Sequence, residues 1–285
     1  MIKKFSRLVV FSHTIFAMPF ALIGFTYAVA ATEAQFSIVL LLQVVACMIF
    51  ARNTAMGFNR WADRDIDAKN ERTANREIPA KNISPRTALI FVIVNAILFV
   101  ICASFINPLT ALLSPVALFV VMFYSYCKRF TAAAHLVLGL GLGIAPIGAY
   151  IAVTGEFALA PCILSAVVLT WCSGFDIIYA LQDAEFDRRE GLHSIPSKFS
   201  AKGALTVSIL LHTASAILLV WFATFLPHST LITIGVAIFI AILTAEHFLV
   251  TPTRQRNIGI AFGTLNGLAS LALAAFVIVG LLLSL

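Results

Sequence analysis

Charge is what this sequence has least of. Asp, Glu, Lys and Arg supply 11% of its 285 residues, against about a quarter in soluble domains, which argues against a freely soluble globular chain. The apolar runs do not alternate with polar residues, which argues against a membrane β-barrel. The five cysteines, Cys47, Cys102, Cys127, Cys162 and Cys172, include no C-x-x-C pair, and most lie in apolar runs. Neither a disulfide nor a zinc site is expected from them. No small-residue cleavage site leads from the first apolar run into a soluble region, so that run is expected to stay as a span. No Asp-Gly pair occurs anywhere in the chain.

Long apolar runs are what remain. Residues of apolar type make up 61% of the chain, with 24 Phe. Nine stretches of about 20 residues, the length that crosses a bilayer, fall near 9–30, 36–58, 87–105, 109–126, 133–153, 159–182, 203–225, 229–249 and 260–284. The expected fold is an all-α membrane bundle of nine transmembrane helices, a single domain over residues 1–285. Connections alternate between short uncharged ones (31–35, 106–108, 154–158, 227–228) and charged ones (59–86, 127–132, 183–202, 250–259). All 19 Lys and Arg lie at the N-terminus, in the charged set, or at Arg52. Basic residues mark cytoplasmic loops, so the N-terminus is expected inside and the C-terminus outside, as in a bacterial inner membrane. The formal charge of +6 is accounted for by basic loops facing anionic lipid and needs no nucleic acid.

The charge that exists is concentrated. After the second span, Asn59, Asp63 and Asp67 follow in four-residue steps, which lie along one stripe of a helix. Arg52 joins that stripe and Asp65 points elsewhere. At the end of the sixth span, Asp176, Asp183 and Asp187 are spaced at seven and four, again one helical stripe, and Tyr179, Asp183 and Asp187 repeat the four-residue steps. Both clusters precede an Ile-Pro (Ile78-Pro79, Ile195-Pro196), and they lie 120 residues and four spans apart. That arrangement predicts two parallel four-helix repeats plus a ninth helix. Carboxylates suit Mg²⁺, which takes one or two from protein and completes its shell with water and phosphate. Two such clusters facing each other could hold a diphosphate, with Arg72, Arg76, Lys128 and Arg129 taking further phosphate charge and the apolar bundle housing a hydrocarbon tail. A salt-bridged loop is the plainer account of either cluster alone. Asp176 is harder to dismiss, because it lies inside a span, where ionisable groups are costly.

Three stretches carry a resemblance. NRWADRDIDAKNERTANREIP (59–79), DIIYALQDAEFD (176–187) and YSYCKRFT (124–131) resemble, in order and spacing, the signatures of the UbiA-type intramembrane aromatic prenyltransferases. The first is nearest to the 4-hydroxybenzoate polyprenyltransferase branch. Arg76 is followed by Glu77 where the haem-modifying branch usually has proline. The resemblance implies transfer of a polyprenyl group from polyprenyl diphosphate to an aromatic acceptor, 4-hydroxybenzoate or else 1,4-dihydroxy-2-naphthoate or haem, in quinone-type biosynthesis. It implies that Asn59, Asp63, Asp67, Asp183 and Asp187 hold Mg²⁺ and diphosphate. Lys128, Arg72 and Arg76 would neutralise the leaving group, and Tyr179 and Tyr124 would face the allylic cation. Asp176 joins the substrate-binding set, and Arg52 is the candidate for an aromatic carboxylate, against the alternative of an interfacial anchor.

Other residues are read more plainly. His13 either lines the aromatic pocket or sits as an interfacial histidine. His135, His212 and His228 show no partner at ligand spacing. Glu246 is expected to pair structurally, with His247 beside it. GLGLGIAP (139–146) lacks the strand and lysine of a nucleotide loop, and its small residues suit close helix packing or a kink. A transporter would place its polar groups near the membrane midplane on inverted repeats. A CDP-alcohol phosphotransferase would gather its carboxylates in one D-x-x-D-G run. A non-catalytic scaffold gives no reason for Asp176.

Overall fold

The computed structural model describes residues 8–9, 16–32 and 34–284. Helices dominate, and among the described residues the only β feature is an isolated bridge between Thr251 and Arg254. The main helices are α1 (Met18–Thr32), α2 (Ile38–Ala62), α3 (Pro85–Ser104), α4 (Pro108–Cys127), α5 (Ala134–Thr154), α6 (Leu159–Ala180), α7 (Ala201–Ala223), α8 (Thr230–Leu249) and α9 (Asn266–Leu282). Of the described residues, eight segments are long and apolar enough to cross a membrane, and α1 is a shorter apolar helix of 15 residues. The last of the eight counts α9 together with Ile260–Leu265, which is wound as a π-helix rather than as the regular helix expected for 260–284. The protein is an integral, multi-pass membrane protein.

Local chemistry sets the helix ends. Ser84 and Asn107 accept hydrogen bonds from Thr87 N and Thr110 N, and each is followed by proline at the first helical position, where a missing N–H costs nothing. Gly155, at φ 72°, closes α5 in the left-handed conformation that glycine adopts without penalty.

α6 is the spine, packed between α5 and α7. α1 lies against α5 and α9, while α2, α3 and α4 form a second group joined to the rest through α4 and α5. The small-residue run of α5 makes this possible. A Cβ on Gly139 would stand 2.3 Å from the Leu169 carbonyl oxygen, and one on Gly24 would stand 2.3 Å from that of Pro146. Trp171, Phe20, Phe222 and Phe239 fill the centre and are fully buried or nearly so, while Leu112, Phe119 and Ile217 point outward, as a lipid-facing surface allows.

The charged connections meet at one end of the bundle. Lys69 Nζ reaches Glu190 Oε2 at 2.7 Å, His193 N donates to the Lys128 carbonyl at 2.7 Å, and Val250 and Ile258 pack on Ile177 and Leu181.

Candidate active site

At this end a cavity of about 300 Å³ opens between α2, α4, α5, α6 and the charged connections. The first acidic motif forms one wall. Asp63 caps α2, and Arg64–Asp67 winds one further turn, so the four-residue steps survive the helix end. Asn59 donates to Asp63 Oδ2 at 3.0 Å, and Lys128 Nζ reaches the same oxygen at 2.7 Å from the end of α4. Arg76 Nη1 holds Asp67 Oδ1 at 2.7 Å.

The second motif faces it. α6 tightens into a 3₁₀ turn at Leu181–Asp183 and resumes as Ala184–Arg189. Arg72, from the loop after the first motif, spans the gap. It grips both Asp183 oxygens and donates to Tyr179 Oη at 2.9 Å. Burial opposes its charge, but the bonds to Asp183 outweigh that effect and leave its pKa above the ordinary arginine value. Asn70 also donates to Asp183, at 2.9 Å. Asp187 Oδ2 accepts from Ser194 Oγ at 2.7 Å.

Deeper in the cavity lie Asp176 and His135. His135 Nδ1 is 2.6 Å from Asp176 Oδ2, while Ile195 N donates to Nε2 at 3.3 Å. A nitrogen that accepts is unprotonated, so the neutral ring carries its proton on Nδ1, facing the carboxylate. Apolar and aromatic side chains (Met56, Leu138, Leu142, Phe16, Phe175, Phe262) complete the lining. Phe262 packs on Tyr179 with ring centroids 4.2 Å apart.

The residues suit a divalent metal that a ligand helps to bind. Asp67 Oδ2 is buried and accepts no hydrogen bond, which is an oxygen in need of a cation. Among the described residues no three Asp, Glu, His or Cys groups converge as a ready-made centre, an arrangement in which water and phosphate oxygens would complete a metal's shell.

Comparison with known proteins places this geometry. The model of the UbiA prenyltransferase family matches residues 17–271. The chain belongs to the UbiA prenyltransferase family. It is 30% identical over 211 residues to the 4-hydroxybenzoate octaprenyltransferase of Francisella tularensis subsp. novicida, spanning 74% of this chain and 71% of that one. To the enzyme of the same name from Photobacterium profundum it is 32% identical over 164 residues, 57% of each chain. A UbiA homologue from Aeropyrum pernix K1 superposes with TM-score 0.81 at 28% identity, covering 95% of this chain and 98% of the other. A UbiA homologue from Archaeoglobus fulgidus bound to GPP and Mg²⁺ shares the fold, with TM-score 0.74 at 18% identity over 96% and 99% of the chains. The protein is thus a prenyltransferase.

Most residues singled out from the sequence line this UbiA-family cavity: Arg52, Asn59, Asp63, Asp67, Arg72, Arg76, Tyr124, Lys128, Asp176, Tyr179, Asp183 and Asp187. Arg129 does not. It stands behind the wall, 3.1 Å from Asp63 Oδ1, and donates to the Ser125 and Ala62 carbonyls. His13 lies outside the described residues. Asp65, with an 82% exposed side chain, is off the lining.

Two histidines gain partners that no sequence spacing shows. His135 does have a partner, Asp176, across 41 residues of sequence. His212 bonds His247 at 2.9 Å. Glu246 is paired as expected, but with Asn266 at 2.9 Å and with His212 at 3.8 Å rather than with its neighbour His247. Asn70, His135, Ser194 and Arg60 were missed as lining residues. Only Asn70 and Arg60 left a trace in sequence, by lying inside the first motif.

Proposed function

We propose that this prenyltransferase moves a polyprenyl group from polyprenyl diphosphate to the ring of 4-hydroxybenzoate, in the making of a ubiquinone- or menaquinone-type quinone. One observation carries the reading. Two acidic motifs and the cations that answer them share a single cavity whose remaining walls are apolar and aromatic. The names of the curated relatives and the GPP and Mg²⁺ in a fold neighbour support it.

Asn59, Asp63, Asp67, Asp183 and Asp187 would hold Mg²⁺, which when bound withdraws charge from the leaving diphosphate. Lys128, Arg72 and Arg76 now hold carboxylates and exchange them for phosphate oxygens, so that the charge developing as the C–O bond breaks meets cations already in place. Tyr179 and Tyr124 turn aromatic faces toward the allylic cation, and Phe16, Phe175 and Phe262 keep water from it. Arg52, about two turns deeper on α2 than Asn59, takes the acceptor carboxylate in its planar fork. Asp176 belongs to the same substrate-binding set.

The same reading sets the protein in a bacterial inner membrane with nine spans, the charged connections and N-terminus in the cytoplasm and the C-terminus outside. Purified membranes given 4-hydroxybenzoate, Mg²⁺ and prenyl diphosphates of several lengths should yield a ring-prenylated product by mass spectrometry. A parallel arm with 1,4-dihydroxy-2-naphthoate reads the alternative acceptor. No product in either arm, with no diphosphate released, sinks the proposal.

A further inference from the structure

Arg60 follows Asn59 on α2 and lines the cavity, yet nothing above gives it work. It is 8% exposed. The other cations of the mouth are engaged, Arg72 with Asp183, Arg76 with Asp67 and Lys128 with Asp63. Arg60 has no ion pair or hydrogen bond to any described residue, and its Nε is wholly buried and unmet. Charged side chains are almost never buried unless paired, and a buried cation without an anion is costly.

The groups around Arg60 do not remove that cost. Asp67 and Glu77 attract it, Arg76 repels it, and the Tyr124 ring lies near both Arg60 and Arg52. Asp67 holds Arg76 through Oδ1, and its Oδ2 accepts no hydrogen bond from Arg60 or any other described residue. No Asp or Glu of a described residue stands at ion-pair distance from Arg60, so an anion from outside the chain would meet that charge. The proposed reaction delivers two: the diphosphate of the donor and the carboxylate of the acceptor. Both present paired oxygens, which a guanidinium binds with two parallel hydrogen bonds.

We propose that Arg60 is an anion receptor of the cavity, ion-paired with no side chain of the described residues so that a carboxylate or phosphate of an incoming substrate completes it. This inference rests on the reading under Proposed function and adds a residue to its binding machinery. It also predicts that Arg60 works against the stability of the empty protein.

The test uses the whole protein in detergent micelles. Calorimetry measures binding of inorganic diphosphate with Mg²⁺, of 4-hydroxybenzoate and of its uncharged amide, for the parent, Arg60→Gln and Arg60→Lys. Arg60→Gln should lose at least about tenfold in affinity for one anion, while its melting temperature holds or rises. Arg60→Lys, which keeps charge but not the fork, should lose less. A loss for 4-hydroxybenzoate that the amide does not show identifies the carboxylate as the anion. A loss for diphosphate identifies the phosphate. If both anions bind Arg60→Gln and Arg60→Lys within twofold of the parent, the Arg60 proposal is overturned while the functional reading stands. A parent that binds neither anion and makes no product overturns both.

Discussion

The two acidic motifs share a spacing and differ in what surrounds them. Asp63 and Asp67 are 2% and 3% exposed. Their counter-charges come from α4 and from their own loop, through Lys128, Arg129 and Arg76. The Asp183 side chain is 17% exposed and is held by Arg72 reaching across the cavity, while Asp187 meets a hydroxyl rather than a cation. Removing one partner of a buried pair strands the other charge, and the penalty shrinks as the pair gains access to water. The first motif is therefore part of the bundle's framework as well as of its chemistry. The second is tied down by contacts that a substrate can replace. A repeated sequence pattern has not produced a repeated energetic role.

The largest expected effect tests that asymmetry. Asp63→Asn and Asp67→Asn should each abolish turnover and also cost about 3–5 kcal/mol of stability, read by product formation and by thermal melting in detergent. Asp183→Asn and Asp187→Asn should abolish turnover equally but cost less, about 1.5–3 kcal/mol for the loss of a charged hydrogen bond at a partly exposed site. Equal melting losses at both motifs would break the comparison. Next in size, Arg52→Lys should raise the acceptor Michaelis constant roughly ten- to a hundredfold, the value of a charged bidentate contact of about 1.5–3 kcal/mol, with little change for prenyl diphosphate. Lys128→Ala should act mainly on turnover. Steady-state kinetics with each substrate varied in turn separates the two, and parallel effects on the prenyl diphosphate term would make Arg52 another phosphate ligand. The smallest effect belongs to Asp65→Asn, expected within about twofold of the parent by the same assay. Its side chain is 82% exposed beside Arg64, and surface pairs of this kind contribute little. A loss matching Asp63→Asn would mean that the helical face does not decide which carboxylates serve.

The approximate positions of most spans and the membership of both acidic stripes were legible because each depends on neighbours within a few residues. Other features depend on distant partners and were not. His135 faces Asp176 because α5 and α6 pack closely along glycines, and no spacing announces a partner 41 residues away. Arg129 looks equivalent to Lys128 in sequence. One helical step rotates it away from the cavity, toward the Ser125 and Ala62 carbonyls. Arg60 resembles any basic residue at a helix end until the fold shows it buried on α2 without an ion pair among the described residues.

The π-wound segment Ile260–Leu265 has a consequence for anyone aligning this chain. A π-turn accommodates one more residue than an α-turn, and one residue is about 100° of rotation on a regular helix. Phe262, which packs on Tyr179, and Asn266, which bonds Glu246, therefore cannot be placed on one helical wheel. An alignment that runs straight through 260–282 without a one-residue gap will set residues of this protein about 100° out of phase with those of any relative whose last helix is regular.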